Sequence, residues 1–518
     1  MPDALRDADV LVVGGGINGA GIARDLAGRG LDVVLAEQDD LARHTSSAST
    51  KLIHGGLRYL EYYEFGLVRK ALAERELLLR AAPHIIRPLR FVMPHDPSMR
   101  PVWMIRAGLF LSDHLARREL LPASRTVQLA RHPSGAPLKP QFTKGFVYSD
   151  GWVDDARLVV LNALDAADRG ARVLTRTCVT AAQLEAADGC DGAGAGRGGG
   201  GNVTLRAADG STSTQRTRAL VNAAGPWAAT FLQDALGQAQ VRPLRLVKGS
   251  HIVVPRLFDH DHAYIFQNPD GRIIFAIPYE GRFTLIGTTD VEWKAEPAAV
   301  HIERDEVLYL CDQAGRYFSQ PVREQDVLWS YSGVRPLLDD ESGNPAAVTR
   351  DYRLELTREG GAPLLSVWGG KLTTFRKLAE EACGLLCEAL GHRAADWTAT
   401  AALPGGDLSE WITPSGRPEA DIERFREQLA LRVPQLDADT CARWARSYGA
   451  LALRILAGGA LGEAIVPGVH EAELRWLHTH EWARSLDDVL WRRSKLGLHL
   501  SAMQHEALAA WWHRNGLG

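Results

Sequence analysis

Three glycines and one acid carry the most specific chemistry in the chain. Gly14, Gly16 and Gly19 stand in GxGxxG spacing within VVGGGINGAG, and Glu37 ends the apolar run that follows. Glycine is needed there for a tight turn, for the approach of backbone amides to a pyrophosphate, and for close seating of a helix on a strand. A carboxylate at the position of Glu37 accepts hydrogen bonds from an adenosine ribose and disfavours a 2′-phosphate, which selects FAD or NAD over NADP. Beside these lies a run of small hydroxyls, Thr45, Ser46, Ser47, Ser49 and Thr50, followed by Lys51. Such groups either hydrogen-bond a buried ligand or form a solvated loop. A third set is cationic: Arg58, next to Tyr59, then Arg335, Arg350 and Lys371. Each arginine taken singly reads as a surface or structural ion-pair partner. His54 and His251, each next to a glycine or serine, carry imidazoles that titrate near neutral pH; a catalytic base and a structural histidine are both open readings.

The elements that must position these groups are written around them. Residues 10–13 form an apolar run of strand length, residues 18–29 read as a helix, and residues 31–36 read as a second strand ending at Glu37. Residues 65–82 predict a helix with Leu67, Val68, Ala71, Leu72, Leu78 and Leu79 on one stripe, stopped by Pro83. The stretch around residues 101–122 is apolar but broken by Arg106, Asp113, Arg117 and Arg118. A core-packed helix is the default reading for it, and a helix lying on a membrane surface is the alternative. Asp154 or Asp155 is placed to cap a helix. Residues 189–201 are a glycine-rich insertion, expected as a hairpin tip without function. Residues 220–222 make a buried strand running into the small turn Ala223, Ala224 and Gly225.

Between residues 242 and 335 the composition turns β-rich. The runs 248–255, 272–278 and 282–290 predict an antiparallel sheet, with a hairpin turn at 279–282. A later strand meets Gly369 and Gly370, and a helix begins near Thr373, so that Lys371, Leu372, Thr373 and Thr374 offer helix-start amides. Beyond Pro404 the chain is helical and rich in tryptophan: Trp444, Trp476, Trp482, Trp491, Trp511 and Trp512. Packing onto the main body is expected for these, with a dimer contact or a membrane-facing surface as the alternative.

Size and charge narrow the classes. A chain of 518 residues with 46% hydrophobic content is large enough for two or three domains. A net charge of -4 gives no reason to expect nucleic acid. Six cysteines without metal-ligand spacing suit a reducing compartment, and no metal site is expected. Neither a secretory signal nor an apolar run of membrane-spanning length is present in the sequence.

The segment TSSASTKLIHGGLRYLEYYEFGLV, together with GGGINGAGIARDLAGRGL, resembles the FAD-dependent glycerol-3-phosphate dehydrogenases, aerobic respiratory enzymes of the D-amino-acid-oxidase-like flavoprotein fold. The likeness extends over nearly the whole chain. It implies an α/β fold: a two-dinucleotide-type FAD-binding Rossmann-like domain (residues 1–95, 150–240 and 336–397), an antiparallel β-sheet substrate domain (96–149 and 241–335), and a C-terminal all-helical domain (398–518). The resemblance further implies FAD contacts at Gly14, Gly16, Ile17, Asn18, Gly19, Glu37, Thr45, Ser46, Ser47, Ser49 and Lys51. More are implied at Arg176, Cys178 and Val179 beside the adenine, at Ala224 and Gly225, and at Lys371, Leu372, Thr373 and Thr374.

Under the same resemblance, Arg58, Tyr59, Arg335, Arg350 and Lys371 gather to hold the phosphate of glycerol 3-phosphate. A phosphate monoester carries roughly -1.5 to -2 charges near neutral pH, which guanidinium forks grip at two points. Hydride passes from C2 to flavin N5 to give dihydroxyacetone phosphate; His54 and His251 are the candidate bases, and Arg335 or Lys371 stabilises developing charge. A membrane quinone as electron acceptor, peripheral attachment to the inner face of the cell membrane and a homodimer are implied as well. Two alternatives share the fold: an oxidase passing electrons to oxygen, and an amine or amino-acid oxidase.

Overall fold

The computed structural model describes residues 6–56, 64–96, 99–185, 200–338, 351–359 and 361–517. Its first unit is strand β1 (Ala8–Val13), helix α1 (Ile17–Gly28) and strand β2 (Val33–Ala36). β1 pairs in parallel with β2 on one side and with Thr212–Asn222 on the other. Ala362–Trp368 and Arg172–Leu174 extend the parallel set outward, and Arg353–Glu359 closes one edge antiparallel. A parallel sheet is covered on both faces, which is why its strands read as unbroken apolar runs rather than alternating ones. Helices α1, Asp155–Asp168 and Phe375–Leu390 lie on one face. The other carries the hairpin Thr177–Glu185 and Gly200–Ala207, which leads antiparallel into Thr212–Asn222, with the helix Ala228–Asp234.

Among the described residues the second sheet has ten strands. Leu244–Pro255 pairs antiparallel with both Trp329–Leu338 and Phe283–Gly287, which continue through Ile273–Tyr279 to Ala263–Gln267. The hairpin turn expected at 279–282 is present, with Glu280 and Gly281 both at positive φ. The sheet draws on more of the chain than expected. Ile86–Pro94 joins Ala263–Gln267 in parallel, and Lys144–Val153 and Leu52–Ile53 follow it. Residues 86–94, assigned from the sequence to the dinucleotide unit, thus belong to this sheet, because strand partnership is settled by contacts remote in sequence. The sheet's last strand in sequence is Trp329–Leu338.

The helix expected at 65–82 forms as Phe65–Ala81. The stretch near residue 101 meets the core reading on one face only, where Val102, Ile105 and Leu109 pack against the second sheet's apolar cluster. Val102–His114 is a helix, but Trp103 is 69% and Phe110 57% exposed, and only Leu109 and Ser112 are buried. The C-terminal part is built of Pro418–Arg432, Ala438–Tyr448, Glu471–His480 and Ala502–Arg514, with one short hairpin, Ala464–Val466 and Val469–His470. Trp444, Trp476, Trp511 and Trp512 are buried in a core continuous with that of α1, and Trp482 and Trp491 pack against its margin. The packing reading of the tryptophans therefore holds, and Trp491 stacks on Trp329 of the second sheet at 4.5 Å between ring centroids. Of the glycine-rich insertion, residues 189–199 lie outside the described residues, while Gly200 and Gly201 belong to a strand.

Candidate active site

The turn from β1 into α1 has no room for side chains. A Cβ on Gly19 would stand 1.8 Å from the Gly14 carbonyl oxygen, and one on Gly14, whose φ is +107°, would stand 2.5 Å from the Ala223 oxygen. The Gly14 amide donates to the Ala36 oxygen at 2.8 Å, and the Ala223 amide donates to the Val13 oxygen at 2.9 Å. The three segments Val13–Gly14, Ala36 and Ala223–Gly225 are thereby stitched at one end of the parallel sheet, where open α/β sheets bind their ligands. Glu37 lies beside them, its carboxylate accepting from the Gly15 amide at 2.6 Å and the Asp39 amide at 2.8 Å. Burial pushes its carboxyl above the usual range, and those two amides partly offset the rise.

The hydroxyl run divides into groups that face the helix start and groups that hold the loop. Ser46 Oγ accepts from the Ile17 amide at 3.0 Å, in the place where a phosphate oxygen meets a helix N-terminus. Thr45 donates to the Val334 oxygen at 2.7 Å, Ser47 to the His44 oxygen at 3.3 Å, and Ser49 to Asp155 at 2.7 Å. Lys51 was expected at the cofactor, but its ammonium is buried against Asp155 at 2.6 Å and the Ser47 oxygen at 3.1 Å. Its part is to lock the loop from behind. Asp154 is the true cap, accepting from the Arg157 amide at 3.2 Å, which leaves Asp155 for that lysine.

The third motif closes on the first. Asn18 Nδ2 donates to the Gly369 oxygen at 3.1 Å, and a Cβ on Gly370 would stand 2.8 Å from Asn18 Nδ2. The buried Asn18 Oδ1 has no protein donor, so an acceptor faces the cradle unused. Lys371 immediately precedes the turn Leu372–Thr374, and Thr373 Oγ1 accepts from the His54 amide at 3.2 Å. Ala224 and Gly225, at φ +57°, begin the turn Gly225–Trp227. Near the end of β2, the Arg176 amide donates to the Asp39 oxygen and the Thr177 amide to the Glu37 oxygen, each at 2.7 Å. That brings Arg176, Cys178 and Val179 alongside Glu37, while the Arg176 side chain turns away to Asp488 at 2.6 Å. Glycines that exclude side chains, a helix start, a buried carboxylate just past the end of β2 and an unmatched acceptor together fit FAD.

The second sheet roofs this crevice. Side chains alternate along a strand, so Tyr331, Gly333 and Arg335 share a face, and the register sets His251 opposite Tyr331 and Gly249 opposite Gly333. That face meets the hydroxyl loop: the Tyr331 hydroxyl donates to the Ser49 oxygen at 2.8 Å, and a Cβ on Gly333 would stand 2.7 Å from Ala48 Cβ. His251 is buried, stacked on Tyr331 at 4.8 Å, with Nε2 hydrogen-bonded to Thr50 Oγ1 at 2.9 Å. Burial, then the charges of Arg335 and Lys51, hold its pKa well below 6.5, so it is neutral at pH 7. The Arg335 guanidinium lies over Gly249, where a Cβ would stand 2.3 Å from Nη2. It is half-exposed, ion-paired with Asp290, and donates to Thr288 Oγ1 at 3.1 Å. Arg58, Tyr59 and Arg350 lie outside the described residues. Asp155, Tyr331 and Asp290 were missed in the sequence; for Tyr331 the two-residue alternation with Gly333 and Arg335 was a usable signal.

Comparison with known proteins agrees with this geometry. Residues 9–376 match the family of FAD dependent oxidoreductases, and residues 397–511 match the C-terminal domain of alpha-glycerophosphate oxidase. A glycerol-3-phosphate dehydrogenase of Pseudomonas aeruginosa is 54% identical, covering 96% of this chain and 94% of its own. A D-erythritol 1-phosphate dehydrogenase of Brucella abortus is 49% identical, covering 98% of both. Among solved structures, the glycerol-3-phosphate dehydrogenase from Bacillus halodurans complexed with FAD superposes with a TM-score of 0.77 at 26% identity, over 98% of this chain and 91% of that one.

Proposed function

From a chain that belongs to the FAD-dependent oxidoreductases, in the branch of the glycerol-3-phosphate dehydrogenases, we propose an enzyme that oxidises sn-glycerol 3-phosphate to dihydroxyacetone phosphate. One observation carries the reading furthest. Strand alternation sets Arg335, Tyr331 and His251 on the single sheet face that meets the hydroxyl loop behind the glycine turn. On this reading, that face offers a cation for the substrate's phosphate and an imidazole for its hydroxyl proton. Bound FAD supplies the acceptor for the C2 hydride.

The side chains divide the remaining work. Arg335 anchors the phosphate together with Lys371, Arg58, Tyr59 and Arg350, and anchoring one end of a small substrate fixes the other. Two imidazoles can receive the proton, in different surroundings. His251 is buried and neutral, held by Thr50 and Tyr331; His54 is half-buried, its backbone tied to Thr373 beside Lys371. Either accepts a proton only in the neutral form, which the depressed pKa of His251 secures. Arg335 and Lys371 offset negative charge as it develops on the substrate oxygen.

The acceptor of the electrons is proposed to be a membrane quinone, reached through peripheral attachment at the inner face of the cell membrane. No helix among the described residues is long and apolar enough to cross a membrane. Val102–His114 instead presents Trp103, Met104, Phe110 and Leu111 to the outside, the pattern of a helix lying in an interface. A second reading changes only the substrate: the 49% identical relative is a D-erythritol 1-phosphate dehydrogenase, whose four-carbon substrate needs a longer pocket.

Anaerobic titration of the flavin spectrum tests both. Glycerol 3-phosphate should bleach the flavin at lower concentration than D-erythritol 1-phosphate; the reverse order moves the substrate to the longer ester. Bleaching by amino acids alone would remove phosphate esters from the reading. In Arg335→Ala the flavin should remain bound while half-reduction needs about ten- to a hundredfold more substrate, matching one charged hydrogen bond of about 1.5–3 kcal/mol. Stopped-flow reoxidation by oxygen as fast as by quinone would make the enzyme an oxidase.

A further inference from the structure

The loop between Glu37 and Ser46, which carries both groups expected at the two ends of the FAD diphosphoadenosine, is gripped from outside by the C-terminal unit. Asp40, 2% exposed, receives Arg492 Nε at 2.6 Å and both arms of Arg493 at 2.7 Å. Arg493 also donates to the Glu481 carbonyl oxygen at 2.6 Å, and the Glu481 carboxylate is paired with Arg157 on Asp155–Asp168. At the start of the same turn, Asp488 is fully buried and accepts from Arg176 Nη2 at 2.6 Å, Arg492 Nη2 at 2.5 Å and the amides of Arg484 and Ser485 at 2.8 and 3.0 Å.

Arg176 is the residue whose backbone lies against Asp39 and whose neighbour lies against Glu37. It sits at φ +51°, a conformation that a non-glycine residue holds only when its surroundings impose it. The amide hydrogen bonds to Asp39 and Glu37 and the side-chain bond to Asp488 are the visible restraints. Asp488–Arg493 winds as a single π-turn, a widened coil that occurs mostly where a helix has been adapted to a task. The result here is that Asp488, Arg492 and Arg493 all face the cofactor loop together.

Buried charge networks add little net stability over apolar packing, and their best-attested role is to fix one arrangement among several. We infer that the turn Asp488–Arg493 is a clasp for the adenosine end of FAD, with Asp488 and Arg493 as positioning residues that set the loop 37–46 and the Arg176 turn. The C-terminal helical unit thereby governs how tightly the cofactor is kept. This rests on FAD being the ligand of the crevice and is independent of which phosphate ester is oxidised.

The test is FAD affinity of the full-length protein, stripped of flavin and titrated with FAD while flavin fluorescence is followed. Asp488→Asn should weaken binding roughly tenfold or more. Arg176→Met removes the half-exposed partner and guards against a folding failure of the first variant; it should weaken binding similarly, and Arg176→Lys should recover part of the loss. The double variant should lose no more than Asp488→Asn alone, since the contact that Arg176→Met removes is already broken in it. Binding within about twofold of the parent in folded Arg176→Met, or fully additive losses, overturns the clasp while leaving the flavoprotein assignment intact. A parent protein that takes up no FAD overturns both.

Discussion

Replacing Asp155 by Asn isolates the hidden support of the cofactor loop. Asp155 is fully buried and holds three things: the Lys51 ammonium at 2.6 Å, the Ser49 hydroxyl at 2.7 Å and the Ser49 amide at 3.2 Å. Lys51 is 1% exposed, and its other contacts are the Ser47 oxygen and the Tyr331 ring, with Nζ 5.1 Å from the ring centroid. Asparagine keeps the size and removes the charge, so an ammonium remains in a site that water does not reach. Breaking a buried pair in this way costs about 3–5 kcal/mol.

For 518 residues at about 2.1 cal/mol/K each, the unfolding entropy is about 1.1 kcal/mol/K, so Tm should fall by about 3–5 °C. Scanning calorimetry of flavin-free protein at one scan rate measures it. The paired variant Lys51→Met with Asp155→Leu should regain most of the loss, because removing both charges leaves no isolated one. A drop below about 1 °C in Asp155→Asn, or a paired variant as unstable as the single one, would refute the view that this ion pair secures the loop.

Three further outcomes are expected. Gly19→Ala should yield protein without the flavin absorbance near the visible maximum, since its Cβ would collide with the Gly14 oxygen at 1.8 Å; a flavin content equal to that of the parent contradicts the turn geometry. His84 is buried, and burial, then the charges of Arg157 and Arg446, push its pKa down to about 3. The unfolded chain then binds a proton that the folded one refuses below about pH 6.5. The penalty is absent above that pH and reaches about 2 kcal/mol at pH 5; His84→Gln should flatten the acid limb of Tm against pH between 6.5 and 4. Trp103→Ser with Phe110→Ser on the exposed helix should lower co-sedimentation with anionic vesicles and quinone reduction, with dye reduction in solution unchanged.

The parts legible in the sequence were those enforced locally. GxGxxG could be read because its spacing is local and Gly19 answers to Gly14 five residues earlier, although the Ala223 oxygen that Gly14 itself abuts lies far along the chain. The hairpin at 279–282 was legible for the same reason. Lys51 looked like a ligand-facing cation because Asp155, its partner, lies 104 positions away. Arg335 stood out as a candidate cation, but its partners Asp290 and Thr288 did not, since neither sits in a recognisable motif. The helix Val102–His114, which packs Val102, Ile105 and Leu109 inward and leaves Trp103 and Phe110 outside, was only half legible because an amphipathic stripe looks the same whether a protein core or some other apolar phase covers it. Sheet membership of Ile86–Pro94 depended on two later strands, Lys144–Val153 on one side and Ala263–Gln267 on the other.

That last pairing has a consequence for biogenesis. Phe91 finds its partner Ala263 only after 172 more residues have been made, which at about 5–20 residues per second means roughly ten to thirty seconds on the ribosome. Through that interval the apolar edge of Ile86–Pro94 stays open to any passing strand, so mutations that slow translation between these two strands should raise the misassembled fraction even though they change no contact in the finished enzyme.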